Sequence, residues 1–440
     1  MTVSADVLVD NEVSNSTLHS AVGKAKRRFL WFLVLFYCVA VVDRVNVSFA
    51  ALTMNRALGL TAAAFGFGAS LFLIGSIFFE VPSNIMMARF GARKWLARIG
   101  ITWGLLTMVM AYIPGERSFY VVRFLIGAAE AGAYPGILLY IATWFPKAYR
   151  AEINALFLLS IPLTNGISSP LAAAVMTLDG HMLLAGWQWL FLIEGLFSIS
   201  VGVVAYFFLT DRPSQATWLP EAERTALVDA LAAEQANLDA SAKSTLRETL
   251  TSGPVWLLGA MYSGLGVSLV TAAFWMPQIL KASGLPNTEI GYAVAFTFAV
   301  GAVAMVIWGR HSDKTGERFA HTAFPAFVAA LGWLLTAFSG QPMFLIAALS
   351  VVTIGHFSSS AAMWTIPPRY LSGIGATAAG FAMVTTISHV TSALGLSIIG
   401  IVKDATGGFR VGLIVVSLYM LVTPLCVLLL KVLYRSKAND

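Results

Sequence analysis

Long apolar runs separated by short polar segments dominate the chain from residue 29 to residue 434. A helix needs about 20 apolar residues to cross the hydrocarbon core of a bilayer. Runs of that length predict twelve membrane-spanning helices, near residues 29–51, 64–88, 95–113, 118–142, 152–176, 187–209, 255–280, 289–308, 320–338, 343–366, 375–402 and 410–434. We therefore predict an all-α membrane protein.

One long polar stretch interrupts this pattern after the sixth predicted span. Residues 211–253 are rich in charge, and their apolar positions have the spacing of an amphipathic helix. A solvated surface helix that joins two bundles accounts for this stretch, and nothing in it supports a regulatory role. The predicted parts are a tail at 1–28, a six-helix bundle at 29–210, a linker at 211–253, a second six-helix bundle at 254–434 and a tail at 435–440.

Composition agrees with a membrane protein. The chain is 58% hydrophobic and 11% charged, whereas a typical soluble domain has about 25% charged residues. Its two cysteines, Cys38 and Cys426, lie in the first and last apolar runs, so neither a disulfide framework nor a metal cluster is expected. No cleavable secretory signal is expected, because a mostly polar stretch precedes the first span.

The basic residues predict the orientation in the membrane. Cytoplasmic loops carry an excess of Lys and Arg. With the N-terminus inside, 21 basic residues fall on the inner side and 5 on the outer side, and Arg44 and Arg123 remain within the membrane. Both termini should then be cytoplasmic. This distribution accounts for the net charge of +6 without a nucleic-acid partner.

Four charged residues lie inside predicted spans: Asp43 and Arg44 in the first, Arg123 and Glu130 in the fourth. A charge at the bilayer centre costs about 2.5–3.5 kcal/mol or more, so such residues mark an ion or substrate path by default. Arg123 and Glu130 are seven residues apart, which places them on one helix face about 10 Å apart along the axis. The set predicts a transporter with a proton site and an anion site.

Each of the four charges has a predicted role. We expect Asp43 and Glu130 to carry a coupled proton, because a nearby Arg that moves toward or away from an acid changes its proton affinity. Arg44 and Arg123 suit a carboxylate, since the planar guanidinium makes two parallel hydrogen bonds. The alternative is a static buried ion network that holds two helices together. Weaker candidates, for which a structural role is equally reasonable, are Glu80 and Glu194.

A short loop sequence occurs once in each half. Residues 309–318 and 84–94 share their spacing, although the first copy lacks the leading glycine and has Ala88 where the second has an acid. The pattern resembles the G-x-x-x-D-[RK]-x-G-x-[RK] loop of the major facilitator superfamily. Its glycines permit a tight turn, and its charges can latch neighbouring helix ends. The predicted gating residues are Gly309, Asp313, Lys314, Gly316, Arg318, Arg89, Gly91 and Arg93.

Longer stretches resemble the anion:cation symporter family of this superfamily. They include residues 43–46, 123–136, 144–146 and 186–195, and within the family the similarity is greatest to 4-hydroxyphenylacetate permeases. The resemblance implies the major facilitator fold of two six-helix bundles, and proton-driven uptake of a small carboxylate across a bacterial inner membrane. It also implies that Asp43 and Glu130 match the coupling acids, and Arg44 and Arg123 the substrate or coupling bases.

Further pocket residues are predicted on both halves. Tyr37 and Tyr134 from the first half and Trp275 from the second could stack on an aromatic ring, although packing is an equally ordinary role for such side chains. Asn165 is a polar candidate in the fifth span. Thr385 and His389 stand where sugar-acid carriers often have Asn, which argues against a polyhydroxylated substrate. His389 could contact a phenol or a second carboxylate of the substrate, but packing or a hydrogen bond with water explains it equally well, and the same alternatives apply to His356.

The expected function is therefore proton-coupled symport by rocking of the two bundles around a central site. An enzyme, a channel, a sensor and an uncoupled facilitator are weaker alternatives, because the chain has no catalytic motif, pore repeat or output domain. The expected cargo is an aromatic acid such as 4-hydroxyphenylacetate; tartrate, phthalate and sugar acids are alternatives. We expect a monomer without metal or cofactor, driven by the proton gradient.

Overall fold

The computed structural model describes residues 5–158, 160–239, 251–370 and 374–434. Apart from turns and two short 3₁₀ segments, these residues form α-helices, and none of the described residues forms a strand. We number the helices in chain order. They are α1 Ala5–Leu58, α2 Ala62–Phe90, α3 Ala92–Met110, α4 Glu116–Glu130, α5 Ala133–Trp144, α6 Lys147–Leu158, α7 Ser160–Met176, α8 Gly186–Phe208, α9 Glu221–Asp239, α10 Gly253–Ala282, α11 Asn287–Thr315, α12 Phe319–Phe338, α13 Pro342–Met363, α14 Pro367–Tyr370, α15 Ile374–Thr406, α16 Arg410–Met420 and α17 Val422–Leu433.

The predicted all-α membrane architecture is confirmed. Ten helical segments of the described chain are long and apolar enough to cross a membrane. The other two predicted spans correspond to α3, whose first turns carry three basic residues, and to α6 followed by α7. Besides α6 with α7, two more predicted spans are each built from two helices, α4 with α5 and α16 with α17.

The first helix is longer than its predicted span at 29–51. It begins at Ala5 and, beyond the membrane span, packs against the amphipathic α9. We call the side that carries the start of α1, the whole of α9 and the end of α17 the termini face. The opposite face carries the turns at 59–61, 283–286 and 407–409.

Ion pairs attach α9 to the first half at the termini face. Glu223 accepts hydrogen bonds from Lys24 at 2.7 Å and Ser20 at 2.9 Å, and Glu234 lies 2.8 Å from Arg150. The bonds from Lys24 and Ser20 hold the pKa of Glu223 below its usual range. This contact therefore stabilises the fold above the ordinary carboxyl pKa, and the stabilisation is lost as the pH falls through the lowered value.

Glycines allow the helices of the first half to cross closely. A Cβ at Gly75 of α2 would collide with the backbone oxygen of Phe124, and a Cβ at Gly127 of α4 would collide with that of Phe72. Small residues at helix crossings bring backbones together, which is how membrane helices gain packing without a hydrophobic driving force. This crossing places Phe72 against the charged face of α4.

The two halves meet near the opposite face. Gly66 of α2 lies against the backbone of α15, and Gly400 of α15 lies against the backbone of α2, so neither position has room for a Cβ. The Ser70 hydroxyl donates to the Ala393 carbonyl at 2.5 Å. A second crossing joins α7 and α11, where Gly291 lies against the backbone of α7. These contacts close this face of the bundle.

A carboxylate reinforces the closure. Asp404, near the end of α15, accepts hydrogen bonds from the amides of Ala62 at 3.1 Å and Ala63 at 2.7 Å, at the start of α2. Thr61 accepts from the next amide, that of Ala64. The first amides of a helix have no partner within it, and the helix dipole favours a negative charge there. Asp404 therefore links the two halves through the N-terminus of α2.

Removal of this carboxylate should open the opposite face. A charge at a helix N-terminus contributes about 1 kcal/mol, so Asp404→Ala should shift the ratio of closed to open forms by about fivefold. Distances between spin labels at positions 56 and 405, in a variant without the native cysteines, would measure this shift.

The matched control is Asp179→Ala. Asp179 also accepts from a helix-start amide, that of Gly186 at 2.8 Å, but it joins α7 to α8 within the first half. The same distance distribution in Asp404→Ala and in the unmodified protein would contradict a role for Asp404 in closure.

Candidate functional site

An ion pair between α1 and α4 lies at the centre of the site. Arg44 donates from Nε to Oε1 of Glu130 at 2.7 Å and from Nη2 to the same oxygen. The Glu130 side chain is fully buried, whereas one third of the Arg44 side chain is exposed. Arg44 therefore combines a buried counter-ion with a guanidinium edge that remains accessible.

A break in the fourth span positions Glu130. Helix α4 ends at this residue, and α5 begins at Ala133. Gly132 between them has φ +86°, a conformation that favours glycine, and a Cβ there would meet the Ser83 side chain. Pro135 lies in the first turn of α5, where a missing amide is tolerated. Helices interrupted at membrane depth occur where backbone lines a cavity or a binding site.

The second acid and the second base of the site are buried more deeply. Asp43 is 3% exposed, and its Oδ1 accepts from the Thr107 hydroxyl at 2.8 Å. Arg123 is 1% exposed, and its Nε and Nη2 have no hydrogen-bond partner among the described residues. Arg123 interacts electrostatically with both Asp43 and Glu130. The four predicted charges therefore form one cluster.

Phe72 of α2 lies beside both guanidinium groups. Its ring centroid is 4.7 Å from Cζ of Arg123 and 5.6 Å from Cζ of Arg44. An aromatic face attracts a cation without hydrogen bonding to it. Phe72 thus stabilises both charges without occupying any of their N–H donors.

Aromatic side chains border the exposed edge of Arg44. The rings of Tyr37 and Tyr134 lie 5.4 Å apart, and both pack on Phe157. Tyr37 interacts electrostatically with Arg44 and Glu130. Tyr262 of α10 interacts electrostatically with both of the first-half tyrosines, so it brings the second half to the same place.

His389 and Glu80 also lie within electrostatic range of Arg44. His389 of α15 comes from the second half and is partly exposed. Glu80 of α2 has no ion-pair partner among the described residues. Thr385, one turn before His389, bonds back to the carbonyls of its own helix. Of the predicted polar residues in the second half, His389 is therefore the one that interacts electrostatically with Arg44.

Two predicted pocket residues, Trp275 and Asn165, are buried in the packing of their helices. Trp275 is fully buried near the opposite face, between Phe65 at 5.3 Å and Phe409 at 5.7 Å. Its ring is thus part of the closure between the halves, because α10 carries it beyond the level of Tyr262. Asn165 is buried, and its amide donates to the Ile161 carbonyl of its own helix at 2.8 Å.

The first gating loop is held by an acid from elsewhere in the chain. Asp211, just after α8, accepts from the Arg93 amide at 2.8 Å at the start of α3. Gly91 has φ +90°, and a Cβ there would collide with the Asp211 carboxylate. Arg89 lies over the ring of the next residue. The acid missing at Ala88 is therefore replaced by Asp211, and the contact joins helices within one half.

The second gating loop forms contacts between α11 and α12. Gly316 ends α11 with φ +69°, and Arg318 pairs with Asp313 at 2.7 Å. Lys314 is exposed, and Gly309 lies one helical turn before Asp313. The ion pair of this loop, Arg318 with Asp313, is thus formed within the loop itself.

Some contributors had no clear sequence signal. Thr107 and Phe72 are ordinary residues of apolar helices, and Asp211 and Asp404 each cap a helix that is distant in sequence. Only the missing acid at Ala88 indicated that another carboxylate was needed. Among the described residues, no three metal-ligating side chains converge.

Comparisons with known proteins agree with this architecture. Residues 33–396 match the Major Facilitator Superfamily. A protein of Agrobacterium vitis named "Putative tartrate transporter" is 42% identical over 421 residues, covering 96% of this chain and 93% of the relative. A "Quinolone resistance transporter" of Acinetobacter baumannii is 37% identical over 390 residues, covering 88% and 90%.

The fold resembles that of solved transporters. The bacterial homologue of the human lysosomal transporter Spinster, in an inward-facing and unoccupied conformation, superposes with a TM-score of 0.76 at 14% identity and covers 93% of this chain and 97% of that one. Together, the family match, the transporter relatives and the shared fold show that this chain is a membrane transporter of the Major Facilitator Superfamily.

Proposed function

We propose that this transporter is a proton-coupled symporter for a small organic carboxylate. The observation that carries the proposal is the Arg44–Glu130 ion pair, in which a fully buried carboxylate neutralises a partly exposed guanidinium. A substrate carboxylate can replace Glu130 at Arg44 once Glu130 is protonated. Binding of the anion and binding of a proton then depend on each other.

The second pair extends this coupling. Asp43 interacts electrostatically with Arg123, whose donors Nε and Nη2 have no partner in the part of the chain that the structure describes. Protonation of Asp43 would free Arg123 to move toward an anion. We therefore assign Asp43 and Glu130 to the proton and Arg44, assisted by Arg123, to the substrate.

The closure at the opposite face supports a conformation open to the termini face. Under the predicted orientation the termini face is cytoplasmic and the membrane is the bacterial inner membrane. Rocking of the halves would break the α2–α15 and α7–α11 crossings and open the site to the other side. Release of protons and anion into the cytoplasm would complete uptake.

Tartrate or a related hydroxy-dicarboxylate is the cargo that we favour. The name of the 42%-identical relative supports it, and so does His389, which could bind a second carboxylate opposite Arg44. An aromatic acid such as 4-hydroxyphenylacetate becomes less favoured, because Trp275 is packed away from the site. Tyr37, Tyr134 and Tyr262 still offer hydroxyl donors to a hydroxylated substrate.

Purified protein in liposomes should accumulate labelled tartrate when the proton concentration is higher outside. Collapse of the gradient with a protonophore should abolish accumulation, and unlabelled 4-hydroxyphenylacetate should compete weakly. Accumulation of 4-hydroxyphenylacetate alone would keep the symporter and change the cargo. Uptake that ignores the proton gradient would contradict the coupling.

Neutral substitutes for the two acids should separate exchange from accumulation. Asp43→Asn and Glu130→Gln mimic protonated acids, so each should abolish gradient-driven accumulation and preserve exchange of labelled for unlabelled substrate. Glu116→Gln, in the first turn of the same helix as Glu130, serves as the control. Loss of both activities in the two acid variants would mean that these acids are structural or bind substrate.

Loss of the central guanidinium should prevent substrate binding. A hydrogen bond to a charged group contributes about 1.5–3 kcal/mol, so Arg44→Ala should raise the Kd by at least about tenfold. Arg410→Ala removes an arginine that lies over Phe338, away from the site, and should leave the Kd unchanged. Calorimetric titration with substrate provides the measurement, and an unaltered Kd in Arg44→Ala would refute the assignment.

A further inference from the structure

A third acid lies buried beside the four charges. Glu194, in the middle of α8, is 8% exposed, and α8 packs against α3 and α1. Its Oε1 accepts a hydrogen bond from Nδ2 of Asn46, while its Oε2 has no partner among the described residues. The function proposed above makes no use of this carboxyl group.

The charges around Glu194 do not favour its ionised form. Asp43 is the ionisable side chain that interacts with it electrostatically, and Asp43 is itself an acid. The two nearby guanidiniums interact with Glu130 and Asp43. An unpaired buried carboxylate is so costly that the group takes up a proton instead.

The hydrogen bonds of Asn46 also favour a protonated Glu194. Asn46 is 2% exposed, three residues beyond Asp43 on α1, and its Oδ1 is a buried acceptor with no partner among the residues the structure describes. Oδ1 and Glu194 Oε2 belong to side chains already joined through their other two atoms. If Glu194 is protonated, its Oε2–H can donate to Oδ1, and both unpartnered oxygens are satisfied. An ionised Glu194 would face Oδ1 with a second acceptor.

We propose that Glu194 remains protonated throughout transport and forms a cyclic acid–amide pair with Asn46 that positions Asp43. The pair fixes α1 against α8 one helical turn from Asp43, without adding a charge to the cluster. Glu194 is thus a positioning residue that acts through Asp43, and its proton is not transported. This inference rests on the proposed proton coupling.

The pair predicts opposite results for two substitutions. Glutamine accepts at Oε1 and donates from Nε2, so Glu194→Gln can reproduce both hydrogen bonds with Asn46. It should keep gradient-driven accumulation, and the dependence of uptake on pH, within about twofold of the unmodified protein. Glu194→Ala removes both bonds and should lower accumulation by about tenfold or more, while exchange stays within about threefold.

Asn46→Ala tests the other end of the pair. It should reproduce the Glu194→Ala phenotype, and the double variant should be no worse than either single one, because both remove the same interaction. If Glu194→Ala fails to fold, Asn46→Ala and Glu194→Gln still decide the matter.

Each contrary outcome has a distinct meaning. Lost accumulation or a shifted pH profile in Glu194→Gln would show that Glu194 titrates, which overturns the proposal. Equal loss of accumulation and exchange in the alanine variants would show a merely structural contact, which also overturns it. Absence of gradient-driven accumulation in the unmodified protein would instead refute the proposed function.

Discussion

Neutralising guanidinium groups inside a bundle of apolar helices is the constraint on which the rest of this structure depends. Arg44 meets it with Glu130, whose carboxylate reaches Arg44 because α4 ends there and Gly132 turns the chain into α5. Arg123 meets it with the field of two acids and the ring of Phe72. The close α2–α4 crossing at Gly127 brings that ring into place. The packing of the helices at the centre of the protein and the neutralisation of its charges therefore depend on each other.

The contacts between the two halves have a different character. Near the opposite face they include glycines against backbone, a serine hydroxyl, the ring of Trp275 beside Phe65 and one carboxylate over a helix start. Each of these contacts contributes little and needs a specific geometry. Movement of one half against the other could therefore replace all of them together with a different set. By contrast, α9 is attached to the first half by ion pairs. Ion pairs thus attach α9 within one half, whereas close backbone crossings and a single carboxylate join the two halves, which suits motion of each half as a body.

Much of the fold followed from apolar run length, because the bilayer thickness sets how long each helix must be. The clustering of the four central charges was also predictable, since a charge inside an apolar run needs an opposite charge close to it. The sequence does not show how deep in the bundle a side chain lies or which distant residues it contacts. The sequence identifies Trp275 as an aromatic residue of α10, but only the packed structure places it beside Phe409. Asp211 and Asp404 cap helices far away in sequence, so the residues around each acid did not indicate its partner.

Asp404 is exposed, and its hydrogen bond with the Ala63 amide at the start of α2 lies at the surface. A carboxylate in that position interacts through a medium that contains mobile ions, which at physiological salt screen exposed charges with a Debye length of about 8 Å. The buried charges at the centre are largely shielded from those ions. The balance between the two conformations should therefore respond to ionic strength on one side of the membrane, independently of how tightly the substrate is held.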